Sequence, residues 1–332
     1  MSATNTAKFS PAWVLFFLAP LLGELLPGIS PPFKFINPIA SFFLFALYGG
    51  GAILCRELTV RTGRGWPTLL ALSAVIVLLK EGVMTASLFS PDLAGPLVYG
   101  RFLGVNWVWL VQSLLFESIF ALAIPILLVH LLFPQRRNEP WIDTIGALWI
   151  IGLLLSGLLL GVFFLSPYRP SFVYYLIALA VAAGITVGAL NLPYTFRVTK
   201  SRAVASPYVF GILSFLGTFV FALITWLLPR SPLPAFVEIA ALLALAFYVL
   251  KTVLEMSGNA QKWRDSQQAA LLSGALAFYV LLAPFKEWFP QGQDMRGMTF
   301  VAVGATVFLI GLNWLVRSRN TQQQFVVPTN NK

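Results

Sequence analysis

Long runs of apolar residues, separated by short polar segments, follow one another along almost the whole chain. Each run is about 18 to 25 residues long, the length that a helix needs to cross a hydrocarbon layer of about 30 Å. The runs are continuously apolar and lack the alternation of barrel strands, so we predict a helix for each of them. Breaks at Pro, Gly and charged residues place ten helices near 11–28, 38–55, 67–88, 105–133, 141–166, 172–193, 208–229, 234–256, 269–288 and 298–316.

Composition agrees with this pattern. Of the 332 residues, 58% are hydrophobic and 10% are charged, and the mean hydropathy is +0.82. Soluble domains carry roughly 25% charged residues. We therefore predict an all-α fold, a polytopic transmembrane helical bundle of about ten helices. Residues 1–316 form its single membrane domain, and the Asn- and Gln-rich residues 317–332 are predicted to be a disordered cytoplasmic tail.

The basic residues predict the orientation of the bundle. Fifteen Lys and Arg residues fall on the side that holds both termini, whereas six fall on the opposite side. Cytoplasmic loops carry the excess of Lys and Arg, so both termini are predicted to be cytoplasmic. The net charge of +10 is scattered singly through short loops, which argues against a nucleic-acid partner and leaves membrane lipids and other membrane subunits as partners. One cysteine, Cys55, and one histidine, His130, predict no disulfide, no metal site and no cofactor.

Four ionisable residues lie deep inside predicted helices, where a charge costs several kcal/mol unless it is paired. Glu24 and Lys80 are each about 20 Å from the inner ends of their helices, and Glu117 is about 18 Å from the outer end of its own. Together with Glu81 they are predicted to meet in one ligand-binding cavity, with Thr85, Ser113 and Gln112 as further lining residues. The alternative is a buried ion pair that only orients helices.

A compact basic loop follows the second helix. Arg56, Arg61 and Arg64 lie within it, beside glycines that favour a turn. Such a loop is able to hold an anionic lipid headgroup. Loop charges that set the topology explain the pattern equally well.

Several segments carry a family resemblance over about the first 135 residues: Tyr48-Gly49-Gly50-Gly51, Gly63-Arg64-Gly65-Trp66-Pro67, Lys80-Glu81-Gly82 and Gly104-Val105-Asn106-Trp107. They resemble an uncharacterised prokaryotic family of multi-span membrane proteins, which implies a multi-pass protein of the cytoplasmic (inner) membrane. That family is distantly similar to CAAX-protease and bacteriocin-processing intramembrane enzymes, which use paired glutamates with histidines. Of that motif only Glu81 carries over, because Lys80 replaces the first glutamate and Glu117 lies where a histidine is expected.

Three functions are compatible with these residues. The sequence favours a transporter-like protein, or one that binds a small ligand or ion, over an enzyme. The alternatives are a degenerate CAAX-protease-like hydrolase and a non-catalytic subunit of a larger membrane complex. No catalytic residue is predicted.

Overall fold

The structure is a computed structural model that describes residues 10–91, 100–166, 168–196, 198, 204–258, 263–290 and 292–326, with side chains up to residue 319. The all-α fold is confirmed, and each of the ten predicted runs contains a helix. These helices are α1 Pro11–Leu25, α2 Pro38–Arg61, α3 Trp66–Met84, α4 Trp107–Leu132, α5 Thr144–Phe164, α6 Phe172–Ala189, α7 Pro207–Arg230, α8 Ala235–Met256, α9 Asp265–Trp288 and α10 Met298–Val326.

Within the described residues, nine helices are long and apolar enough to cross a membrane, and α1 is the shorter tenth. Its 15 residues rise about 22 Å. The prolines and glycine that follow explain the early end: Pro27 cannot donate a backbone hydrogen bond, and Gly28 adopts a φ of 65°. The predicted orientation of the termini stays a prediction.

Several helix ends differ from the prediction. Helix α2 continues to Arg61, so Arg56 and Arg61 lie in its last two turns and not in the loop predicted after it. Helix α4 begins at Trp107, because Val105 and Asn106 form strand β2, which pairs with β1 (Arg101–Phe102) in a short antiparallel hairpin. At the other end of the chain, α10 continues to Val326, so the first ten residues of the predicted tail are helical. Residues 327–332 lie outside the described residues.

Helices α2, α3 and α4 form the centre of the bundle. The buried share of their most apolar windows is 56%, 67% and 72%, against 17–22% for α5 to α8 and α10. Helix α1 packs against this centre, with Leu15 and Ala19 fully buried. The outer helices therefore present apolar faces to lipid, whereas the charged residues of α1 to α4 lie in the protected middle.

Each of these four inner helices contains a π-helical turn, in which the backbone hydrogen bond spans one residue more than in an α-helix. The turns are Leu21–Leu25, Phe45–Gly49, Lys80–Met84 and Glu117–Ala123. Such turns are rare and occur frequently at functional sites. All four contain, or begin at, a residue of the site described next.

Candidate functional site

Three carboxylates surround one ammonium group at the centre of the bundle. Lys80 Nζ lies 2.6 Å from Glu117 Oε1, 2.8 Å from Glu81 Oε1 and 3.8 Å from Glu24 Oε1. The residues come from α1, α3 and α4, and we call these four side chains the charge cluster. The sequence predicted that they would meet, and the structure brings them together.

Tyr48 of α2 joins the charge cluster from the fourth inner helix. Its hydroxyl lies 2.6 Å from Glu24 Oε1 and 3.1 Å from Glu117 Oε2, and its ring faces Lys80 Nζ at 5.4 Å. The residue is 1% exposed. Sequence reasoning missed it, because a tyrosine within an apolar run reads as a hydrophobic residue.

Two serines donate hydrogen bonds to Glu24 and Glu81 in the same way. The Ser30 hydroxyl donates to Glu24 Oε2 at 2.8 Å, and the Ser87 hydroxyl donates to Glu81 Oε2. Each serine lies six residues after its glutamate, where the chain has left the helix and turned back. Trp109 Nε1 also donates to Glu81 Oε2 at 2.9 Å. Both glutamates are thus fixed from two sides.

Access to the charge cluster is uneven. The side chains of the three glutamates are 4–7% exposed, whereas the Lys80 side chain is 15% exposed. Three carboxylates and one ammonium sum to a charge of −2 when all are ionised. The Lys80 side chain is therefore the most exposed of the four, and the three carboxylates around its ammonium hold excess negative charge.

Comparison with protein families matches residues 13–323 to a model described as an uncharacterized membrane protein family. The match covers nearly the whole chain, from α1 to α10. The chain belongs to this family. No curated protein and no solved structure matches it.

Family membership confirms the predicted resemblance to an uncharacterised family of membrane proteins, and the apolar helices fit a multi-pass protein. The location in a prokaryotic inner membrane stays a prediction. The more distant similarity to intramembrane proteases stays a prediction. In this family member, His130 packs between the rings of Trp66 and Trp141. It lies about 20 Å along α4 from Glu117, far from the charge cluster.

Of the three further residues predicted to line the cavity, Thr85 and Gln112 form hydrogen bonds to groups outside the four side chains of the charge cluster. The Thr85 hydroxyl donates to the backbone carbonyl of Lys80 at 3.0 Å, and it stabilises the π-turn there. Gln112 donates to the buried Glu238 of α8 and points away from the charge cluster. Ser113 is buried one turn before Glu117, and its hydroxyl has no hydrogen-bond partner among the described residues.

Arg56 lies in a different environment from the one predicted for it. It is 0% exposed and bonds to Glu57 at 2.5 Å and to the carbonyls of Arg136 and Arg137. Its guanidinium also stacks on the ring of Trp141 at 3.7 Å. These contacts leave no face for a lipid headgroup, which corrects the prediction for Arg56.

Arg61 and Arg64 keep more freedom, and a headgroup site there stays a prediction. Arg61 is 34% exposed along its side chain and reaches Glu57 and the carbonyl of Ile142. Arg64 donates to the carbonyl of Leu192 at 3.2 Å.

Among the residues that the structure describes, no group of three or more His, Cys, Asp or Glu is arranged to hold a metal ion.

Proposed function

We propose that this family member is a transporter-like membrane protein whose charge cluster binds and exchanges a proton or a small cation. The observation that carries the proposal is the grouping of three carboxylates around Lys80 at the centre of the bundle. The lysine ammonium occupies the position that a bound cation or amine would take. An external cation competes with it for the same oxygens.

The charge balance supports this reading. A buried ion costs several kcal/mol unless it is compensated, and one ammonium cannot compensate three carboxylates. Uptake of a proton or of a monovalent cation reduces the excess charge. The site is therefore suited to a ligand that is itself positive, and poorly suited to an anion.

The hydrogen bonds of Tyr48 indicate where a proton would be held. Its oxygen is within bonding distance of carboxylates on both Glu24 and Glu117, yet its hydroxyl carries only one proton. One of the two contacts needs a second proton, held by one of these glutamates. Tyr48 thereby connects the two carboxylates along which a proton would move.

The same arrangement favours transport over hydrolysis. A hydrolase of the intramembrane type needs a group that activates water, and the histidine that would help is packed between two tryptophans away from the charge cluster. The lysine meanwhile pairs with the two carboxylates nearest to it. Exchange of a cation requires only that these ion pairs open.

Proton movement in reconstituted vesicles tests the proposal. Purified protein in liposomes that contain a pH-sensitive dye is exposed to gradients of Na⁺, K⁺ and methylammonium in turn. We expect one of these cations to drive a change in internal pH. Glu24→Gln and Glu117→Gln should reduce that change by about tenfold or more, since each removes a charge worth at least 1.4 kcal/mol to the bound cation.

Glu139→Gln is the matched control, because the Glu139 side chain is 63% exposed and lies in a loop. It should leave the flux unchanged. Equal flux in the wild type and in both cluster variants would reject the proposal. So would the absence of any proton movement in the wild type with all three cations.

A further inference from the structure

A large apolar cavity lies on the other side of α4 from the charge cluster. Its volume is about 510 Å³, within the range of pockets that enclose a single ligand. Residues of α3, α4, α7, α8 and α9 line it, together with Thr195 and Phe196 of the loop after α6. Nearly all of these side chains are apolar, so water is not a suitable occupant.

The depth of the cavity matches one leaflet of a bilayer. Along α8 the lining residues run from Leu242 to Leu254, which corresponds to a rise of about 18 Å. Half of a hydrocarbon core is about 15 Å. Trp66 and Trp263 lie at one end, both next to helix starts on the side of the N-terminus, and Leu114 of α4 and Leu242 of α8 lie at the mid-membrane end. Tryptophan at this level is typical of the membrane interface.

The cavity opens sideways towards the lipid. Ile119 of α4 and Leu250 of α8 both line it, and each is 37% exposed. The gap between these two helices therefore connects the interior with the surrounding bilayer. An alkyl chain enters without leaving an apolar medium, so entry carries little desolvation cost.

An unpaired polar group at the interfacial end of the cavity indicates what kind of alkyl chain the cavity binds. The indole N–H of Trp263 is buried in the lining and has no hydrogen-bond partner among the described residues. Buried donors are nearly always satisfied, and an unsatisfied one calls for a partner. The ester or phosphate oxygens of a phospholipid lie at this depth, and the exposed Arg264 is the next residue along the chain.

We propose that this cavity binds one acyl chain of a phospholipid from the leaflet on the side of the N-terminus, with its polar end at Trp263 and its methyl end near Leu114 and Leu242. The site is separate from the charge cluster and does not depend on the function proposed for it. It does share the α4 turn Glu117–Ala123, whose first residue holds Lys80 and whose later residues line the cavity. One turn of α4 therefore carries both a member of the charge cluster and residues that would contact the acyl chain.

Photo-crosslinking in nanodiscs tests the proposal. The nanodiscs contain phosphatidylglycerol and phosphatidylethanolamine in which one acyl chain ends in a diazirine, and adducts are mapped by mass spectrometry. We expect adducts on cavity residues of α4 and α8 that are shielded from the bulk lipid, such as Phe120 and Leu245. Adducts confined to outward residues of α8, such as Leu243 and Phe247, would overturn the proposal.

Two tryptophan substitutions on the same helix provide a matched pair. Ala246→Trp places an indole in the space that the acyl chain would occupy, and we expect it to reduce the cavity adducts by about tenfold, which corresponds to about 1.4 kcal/mol. Leu243→Trp lies at a residue that is 52% exposed and should leave them unchanged. Equal adduct yields in the two variants would refute occupancy of the cavity by the chain.

Trp263→Phe keeps an aromatic side chain but removes the N–H donor together with the five-membered ring, and it remains informative if Ala246→Trp fails to fold. We expect the cavity adducts to fall severalfold in this variant, and an unchanged yield would overturn the assignment of the polar end. The identity of the occupant is checked separately by lipid analysis of protein washed in detergent. Phospholipid retained at about one molecule per chain supports the proposal, whereas a retained polyisoprenoid would overturn the choice of a phospholipid.

Discussion

Two arginines contact the same glutamate in very different surroundings, so the effect of burial on the stability of an ion pair can be compared directly. Arg56 is completely buried and lies 2.5 Å from Glu57 Oε1, whereas Arg61 is 34% exposed and lies 3.3 Å from Glu57 Oε2. Arg56 also connects α2 to the loop after α4, through two backbone carbonyls and the ring of Trp141. We expect the two arginines to differ strongly in their effect on stability.

Arg56→Met should lower the free energy of unfolding by about 3 kcal/mol, because it removes the buried partner of Glu57 and leaves that carboxylate only the partly exposed Arg61 and the backbone N–H of Trp141. The two carbonyls that lose a charged donor act in the same direction. Arg61→Met should cost about 1 kcal/mol or less, since a partly exposed pair is screened by solvent. The double variant Arg56→Met with Glu57→Met should cost less than the sum of its single changes, because no charge is then left buried alone.

Reversible unfolding of the purified protein in mixed micelles measures these differences, with tryptophan fluorescence as the signal. A difference of 3 kcal/mol corresponds to a change of more than about 100-fold in the unfolding equilibrium constant, which such titrations resolve. Equal destabilisation by Arg56→Met and Arg61→Met would refute the expected dependence on burial. A cost below about 1 kcal/mol for Arg56→Met would refute it as well.

Three further substitutions test the inner helices. Tyr48→Phe removes the hydroxyl shared by two carboxylates and should lower the free energy of unfolding by about 1.5–3 kcal/mol, measured by the same titration. Ser87→Ala should cost a similar amount through the lost bond to Glu81, and an unchanged stability would show that the bond contributes nothing. Gly23→Leu places a side chain against Ala121, so α1 and α4 must separate; we expect a cost of about 1–3 kcal/mol or more and a lower melting temperature in detergent.

The sequence carried enough information to predict the fold and the four members of the charge cluster. Continuous apolar runs determine the helices, and counting residues along each helix determines the depth of a charged side chain. Because Glu24, Lys80 and Glu117 lie at similar depths and cannot face lipid at low cost, they had to meet inside the bundle. Energetic necessity made that prediction reliable.

Depth alone does not determine which way a side chain points, and the other assignments differ for that reason. Gln112 lies about one turn and a half from Glu117, yet it faces α8 and bonds to Glu238. Arg56 lies in a basic loop by sequence, yet its side chain turns inward beneath Trp141. Direction around a helix depends on neighbours that a single sequence does not identify.

The supporting residues Ser30 and Ser87 had a detectable signal that a helix-based search would pass over. Both follow a Leu-Leu-x-Glu segment at the same distance, six residues after Glu24 and Glu81 respectively. A spacing of six does not place two side chains on one face of a continuous helix. It acquires meaning only because both helices end between the glutamate and the serine, so that the chain returns to its own carboxylate.

The π-turns add a further source of error for residues that follow them, such as Arg56 after the turn Phe45–Gly49. A π-turn adds one residue to a helical turn, which leaves depth almost unchanged and rotates everything beyond it by about 100° relative to an uninterrupted α-helix. All four inner helices contain such a turn at the level of the charge cluster. Because a π-turn is less favourable than regular helix, its occurrence in four neighbouring helices at one level requires a compensating interaction. The ion pairs and hydrogen bonds of Lys80, Tyr48 and the three glutamates provide that compensation.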